Sequence, residues 1–149
     1  MEAVIFIGMQ ASGKSTFYKE HFQDTHIRLN LDMLRTRNRE RIILAACLDA
    51  KQRFVVDNTN PTAEQRQRYI KTATAAGFVV TGFYFPMKME ECLARNALRS
   101  GKKRVPDLAI KSVAKKLERP IPGEGYDALF YVRPDGMGGF AVEEYNDEV

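Results

Sequence analysis

Five short apolar runs, separated by stretches with helical spacing, set the pattern of this chain. Ala3-Val4-Ile5-Phe6-Ile7 is uninterrupted, and Ile27-Arg28-Leu29-Asn30-Leu31 alternates. Phe54-Val55-Val56, the run from Phe78 to Phe85, and Leu129-Phe130-Tyr131-Val132 complete the series. Continuous runs of this length predict strands buried on both faces. Between them, one helix is expected to start near Lys14. Another spans about 33–51, with its best apolar face at Ile43, Cys47 and Leu48. A third starts at Asn60-Pro61, with Asn60 as N-cap and Pro61 in the first helical position. Gly77 ends it as a left-handed cap. Two more helices are expected at about 89–100 and 107–118. The glycine-rich turn from Asp135 to Gly139 predicts an edge hairpin returning through Phe140-Ala141-Val142. Strands separated by helices define an α/β protein with a mainly parallel sheet of about five strands, flanked by helices.

Composition bounds the class. The chain has 149 residues and is 44% hydrophobic, enough for one domain with its own core, so residues 1–149 are expected to form a single domain. The longest apolar stretch, Ile42 to Leu48, is far too short for a bilayer. The N-terminal run leads into a glycine-rich loop and is read as a strand, not a signal peptide. Cys47 and Cys92 lack metal-ligand spacing and read as reduced core residues. These features predict a cytoplasmic protein with no membrane partner. The net charge of +4 is unevenly spread. Residues 95–119 carry nine basic and two acidic side chains, whereas residues 123–149 carry one basic and seven acidic. A concentrated basic block points to a polyphosphate, in a nucleotide or in a nucleic-acid backbone. Lys111, Lys115 and Lys116 read as a solvated helix face; Arg95, Arg99 and Arg104 read as functional.

The chemistry begins at Gly8-Met9-Gln10-Ala11-Ser12-Gly13-Lys14-Ser15, a G-x-x-x-x-G-K-S phosphate-binding loop between a predicted strand and a predicted helix. In that context Gly8, Ala11, Ser12, Gly13 and Thr16 belong to an anion cradle of main-chain N–H groups. Lys14 is placed to neutralise the β- and γ-phosphates, and the Ser15 hydroxyl to ligate Mg²⁺. A nucleoside triphosphate is the expected ligand, with ATP and Mg²⁺ as donor and metal.

Ligands of parallel sheets bind beyond the carboxyl ends of the strands. That rule selects Asp32 after strand 2 and Asp57-Asn58-Thr59-Asn60 after strand 3. A carboxylate at Asp32 could take the proton of an attacking hydroxyl or hold Mg²⁺ through water. Arg35, three residues on, would share its helix face. Asp57 ends a Val-Val strand, a position suited to binding Mg²⁺ through water. The segment Arg95 to Pro106 joins two helices through a basic, Gly-containing loop, the layout of a lid over about 95–118.

Taken together, Gly8 to Thr16, Asn30-Leu31-Asp32 with Arg35, Asp57-Asn58-Thr59-Asn60-Pro61, Arg95-Asn96 with Arg99, and Val105-Pro106 resemble the 5′-hydroxyl polynucleotide kinase domain. The Asp57 to Pro61 string and Pro122-Gly123-Glu124-Gly125-Tyr126 are most similar to the animal form. The resemblance covers about residues 3–133 and implies a P-loop kinase fold with a basic helical lid. It implies that Lys14, Asp32 and Arg99 are catalytic, with Asp32 as general base and Arg99 on the transferring phosphate. Arg95 would lie near the nucleotide, Arg35 would contact an acceptor phosphate, and Asp57 to Asn60 would line the acceptor site. Arg119 is a weaker candidate. The implied partner is a 5′-OH end of DNA or RNA. The family commonly has Pro-Gly where this chain has Gln10-Ala11, and often Arg where it has Leu31. Two further readings stay open: a P-loop kinase for a nucleoside, sugar or antibiotic hydroxyl, and a non-catalytic nucleotide-binding module.

Overall fold

The computed structural model describes residues 1–146. Six strands form one sheet: β1 (Glu2–Ile7), β2 (Ile27–Leu29), β3 (Phe54–Val56), β4 (Val79–Tyr84), β5 (Ala128–Pro134) and β6 (Phe140–Glu144). Their order is β2-β3-β1-β4-β5-β6. The first five are parallel, and β6 pairs antiparallel with β5. The helices are α1 (Lys14–His21), α2 (Leu31–Leu34), α3 (Arg37–Ala50), α4 (Ala63–Ala75), α5 (Met89–Ala97) and α6 (Asp107–Lys116).

β1 is uninterruptedly apolar because it lies in the middle of this sheet with helices on both faces. Ile5 and Ile7 pack with Phe54, Val56, Tyr69 and Ile70 under α3 and α4. Val4 and Phe6 face the other way, with Phe17 of α1 and Phe83. The Phe6 ring centroid is 5.8 Å from that of Phe17 and 5.3 Å from that of Phe85. Each such buried phenyl contributes about 1.5–3 kcal/mol. A third cluster, around Met9, Cys92 and Ile110, fastens α5 and α6 to the phosphate loop.

The chain leaves β1 for β2 and β3 on one side, then crosses to β4 on the other. The carboxyl ends of β1 and β3 therefore flank the crevice where such sheets bind ligands.

The edge hairpin through Phe140 forms as expected and adds β6 to the five parallel strands. Two local expectations are corrected. The helix expected over 33–51 is divided: Arg35 takes a φ of 76° and ends α2, and Thr36 caps α3 by accepting from the Arg39 N–H at 3.1 Å. The N-cap of α4 is Thr62, not Asn60; its hydroxyl accepts from the Gln65 N–H at 3.2 Å. Asn60 is buried at a φ of 45°, and its amide donates to the Phe6 carbonyl at 2.7 Å. The side chain that could have capped the helix instead anchors the loop to β1. Gly77 does adopt the left-handed conformation expected of it, with φ 82°.

Candidate active site

The phosphate loop is built from the end of β1 and the start of α1. Gly13 has a φ of 100°, and a Cβ there would lie 3.0 Å from the Phe140 ring. Only glycine meets both constraints without strain. Ala11 sits at a φ of 63°, a region that costs an L-residue about 1–2 kcal/mol. The Gly8 N–H donates to the Thr59 carbonyl at 3.0 Å, tying the loop to the segment after β3. Ser12 is buried in the loop wall, while Ser15 and Thr16 are exposed at the helix start.

Lys14 turns back into its own loop. Its Nζ donates to the Gly8 carbonyl at 2.9 Å and the Met9 carbonyl at 2.6 Å. Burial pushes its ammonium down to about 8, opposed by the nearby Asp57 carboxylate. A lysine depressed in this way loses its proton in the folded state at lower pH than in the unfolded chain. Its burial therefore costs stability below about 8, and the cost is relieved as pH rises towards 10.5. An anion bound in the loop restores the charge. At about pH 8.5, ADP binding is expected to take up roughly half a proton or more. Calorimetry in two amine buffers of different ionisation enthalpy measures this; identical heats in both would contradict the assignment.

A cavity of about 580 Å³ opens beside the loop. On the loop side it is lined by Ala11, Lys14, Ser15 and Thr16, and on the sheet side by Asp57, Asn58 and Thr59. Asp32, exposed on α2, also lines it. Two asparagines place that short helix. Asn30 caps it, accepting from the Met33 N–H at 3.0 Å and donating to the Asp57 carbonyl at 2.7 Å. Asn58 accepts from the Leu31 N–H at 2.9 Å and donates to Glu40 Oε2 at 2.9 Å. Glu40 is buried and also accepts from the Tyr69 hydroxyl at 2.7 Å. Burial and this carboxylate push the Tyr69 phenol up to about 12. The Asn58 side chain thus has structural partners at both ends of its amide. Arg35 lies just past α2, exposed, and neither it nor Asn60 lines the cavity.

Arg28, a residue the strand-end rule passes over, enters from within β2. Its Nε donates to Asp57 Oδ2 at 2.7 Å and its Nη2 to Ser15 Oγ at 2.9 Å. A cation therefore fits between the hydroxyl and the carboxylate expected to serve Mg²⁺. Among the described residues there is no cluster of three or more His, Cys, Asp or Glu that could hold a metal.

The basic segment closes the site from above. Asn96 is fully buried at its base; its amide donates to the Val105 carbonyl at 2.7 Å and its Oδ1 accepts from the Val105 N–H at 3.0 Å. This clamp pinches the loop between α5 and α6, so that Arg99, Lys102 and Lys103 line the cavity. Asn96 was legible only as part of a motif, since its role depends on a partner nine residues away. Arg95 lies outside the cavity, with Nη1 3.7 Å from where a Gly13 Cβ would stand. Arg119 donates to the Tyr131 hydroxyl at 2.8 Å and is also remote from the cavity.

Sheet order, phosphate loop and flanking helices define a P-loop NTPase fold of the kinase-like type, a nucleotide-binding domain. A family model described as an AAA domain matches residues 39–120, more than half of the chain, and the chain belongs to that family. The bifunctional polynucleotide phosphatase/kinase of Schizosaccharomyces pombe is 27% identical over 129 residues, covering 84% of this chain and 32% of that protein. The chain thus spans about a third of this relative's length. Kti12 of Chaetomium thermophilum, solved with ADP-AlF3, superposes with a TM-score of 0.64 at 17% identity, covering 89% of each chain. A gluconokinase from Sinorhizobium meliloti 1021 superposes with a TM-score of 0.60 at 16% identity, covering 87% of this chain and 82% of the other. Among the described residues no helix is long and apolar enough to cross a membrane.

Proposed function

We propose that this chain transfers the γ-phosphoryl group of ATP to a hydroxyl, and that the acceptor is the 5′-OH end of a nucleic acid. The observation that carries this reading is the arrangement of one cavity. Lys14, Ser15 and the Asp32 carboxylate line it together with Arg28, Arg99, Lys102 and Lys103. A pure nucleotide binder needs no exposed carboxylate facing its phosphate loop. The excess of cations over the two carboxylates, Asp32 and Asp57, suits an acceptor that brings phosphates of its own. The similarity to a polynucleotide phosphatase/kinase supports the same acceptor.

In this mechanism Asp32 accepts the proton of the acceptor hydroxyl as its oxygen bonds to the γ-phosphorus. The bond to the β–γ bridging oxygen breaks, and ADP leaves. Lys14 swings out to the β/γ-oxygens and Arg99 covers the migrating charge, the electrostatic share of catalysis. Ser15, and Asp57 through water, would hold Mg²⁺, which neutralises phosphate charge. Thr59 faces the acceptor, Arg35 meets its phosphate further out, and Arg95 sits on the nucleotide side. Residues 1–149 form one kinase domain, with Arg95 to Lys116 as its lid.

The test is label transfer from γ-labelled ATP to 5′-OH oligonucleotides, run beside nucleosides and sugars. Label is expected on the oligonucleotide, with KM rising steeply between 50 and 200 mM salt as phosphate contacts release counterions. Label on small molecules alone would replace the acceptor class. Mg·ATP binding without transfer to any hydroxyl would leave a binding module.

A further inference from the structure

The contact between Arg28, Ser15 and Asp57 has a consequence for how the site loads. Asp57 is buried, and an unpaired carboxylate there would be costly. Lys14 does not serve as its direct partner, because the lysine head is turned towards the Gly8 and Met9 carbonyls. Arg28 does, its Nε donating to Asp57 Oδ2 at 2.7 Å while its Nη2 donates to Ser15 Oγ at 2.9 Å, with the guanidinium carbon 5.8 Å from the Tyr18 ring centroid. The oxygens it engages are the two assigned above to Mg²⁺. A guanidinium and a divalent ion compete for the same lone pairs and repel each other.

We propose that Arg28 is an exchangeable counter-cation of the metal position. It fills the gap between Ser15 and Asp57 in the nucleotide-free chain and vacates it only when nucleotide and metal bind together. This rests on the nucleotide and metal part of the proposed function and is independent of the acceptor. Metal alone meets a filled position and would have to break both arginine bonds with no phosphate oxygens in return. A polyphosphate supplies those oxygens and draws Lys14 out of the loop, so the released charge is replaced. Arg28 lines the cavity, so its freed head stays within the site. The arginine thus pairs Asp57 until the metal replaces it, and makes metal binding conditional on nucleotide.

Two measurements test this. In ¹⁵N-correlated spectra of the wild type, the Arg28 Nε–H is expected as a slowly exchanging signal, identified by its absence in Arg28→Lys. It should persist with Mg²⁺ alone and disappear or shift strongly with Mg·ADP, as the Gly13 and Lys14 amides report nucleotide entry. In parallel, Mn²⁺ titrated without nucleotide and followed by its EPR signal should bind Arg28→Lys at least about tenfold more tightly than wild type. Lysine lacks the planar fork that reaches the two oxygens from separate nitrogens, and the loss of one such charge-assisted bond corresponds to a factor of about ten or more. Two results would overturn the inference alone: an Arg28 signal unmoved by Mg·ADP while the loop amides shift, or equal Mn²⁺ affinity in both proteins. Loop amides unmoved at saturating Mg·ADP would overturn the nucleotide reading and this inference together.

Discussion

Asp32→Asn is expected to lower phosphoryl transfer by about 10²–10⁴-fold, the usual worth of a positioned base, with nucleotide affinity unchanged. The substitution keeps the shape of the side chain and removes the negative charge with which it accepts a proton. The fold has no stake in the carboxylate. The bonds that place α2 come from Asn30 to the Met33 N–H and the Asp57 carbonyl, and from Asn58 to the Leu31 N–H. Asp32 is also exposed, so no buried partner is orphaned. Loss of rate therefore reports chemistry rather than unfolding. Single-turnover transfer beside calorimetric nucleotide binding separates the two quantities. Turnover like that of the wild type would remove Asp32 from the mechanism.

Arg66→Met is expected to destabilise the protein by about 3–5 kcal/mol, the cost of breaking a buried ion pair from one side. Arg66 is wholly buried on α4 and meets Glu124 as a fork, with Nε to Oε1 at 2.8 Å and Nη2 to Oε2 at 3.0 Å. Glu124 is nearly as enclosed, and it also accepts from the Tyr126 hydroxyl at 3.0 Å. Burial beside this carboxylate holds the Tyr126 phenol protonated and neutral, and a neutral phenol does not offset the Glu124 charge. For a domain of this size the loss corresponds to a fall in Tm of about 6–20 °C. Arg66→Met with Glu124→Leu should recover most of it, because no charge is then left buried. The Arg66 Nη1 also donates to the Asn60 carbonyl at 2.9 Å, so the single variant should loosen the segment from Asp57 to Asn60. Urea denaturation of the three proteins provides the check; a single-variant loss below about 1 kcal/mol would show that the pair does not carry this loop.

Much of the cavity wall was legible from position, yet not from residue type. Asp32 and Asp57 follow strands, and the strand-end rule places both at the crevice. Asn58 and Asn60 follow from the same rule, but their side chains are spent on Leu31, Glu40 and Phe6. An asparagine in a loop has the same appearance in sequence whether it faces a ligand or a backbone carbonyl. Arg28 shows the converse failure. It stands inside a strand, where an alternating charged residue reads as a solvent face, and only the neighbouring strand gives it Asp57. Thr36 and Thr62 cap α3 and α4, whereas Asn60-Pro61 carries the stronger local start signal for α4.

By itself, the sequence determined whatever depends on contiguous residues: the alternation of strand and helix, the phosphate loop with its lysine and serine, and the carboxylates just past two strands. Local spacing and backbone preference act within a few residues, so they can be read along the chain. The tertiary structure alone decided which strand lies beside which, and so which loop faces the phosphate loop. Placing β3 against β1 brings Asp57 to Ser15 with Arg28 between them, and the Asn96–Val105 clamp holds the segment whose Arg99 lines the cavity. Those partners are set by burial and strand pairing between distant segments, whose entropy is lost only when the whole sheet assembles.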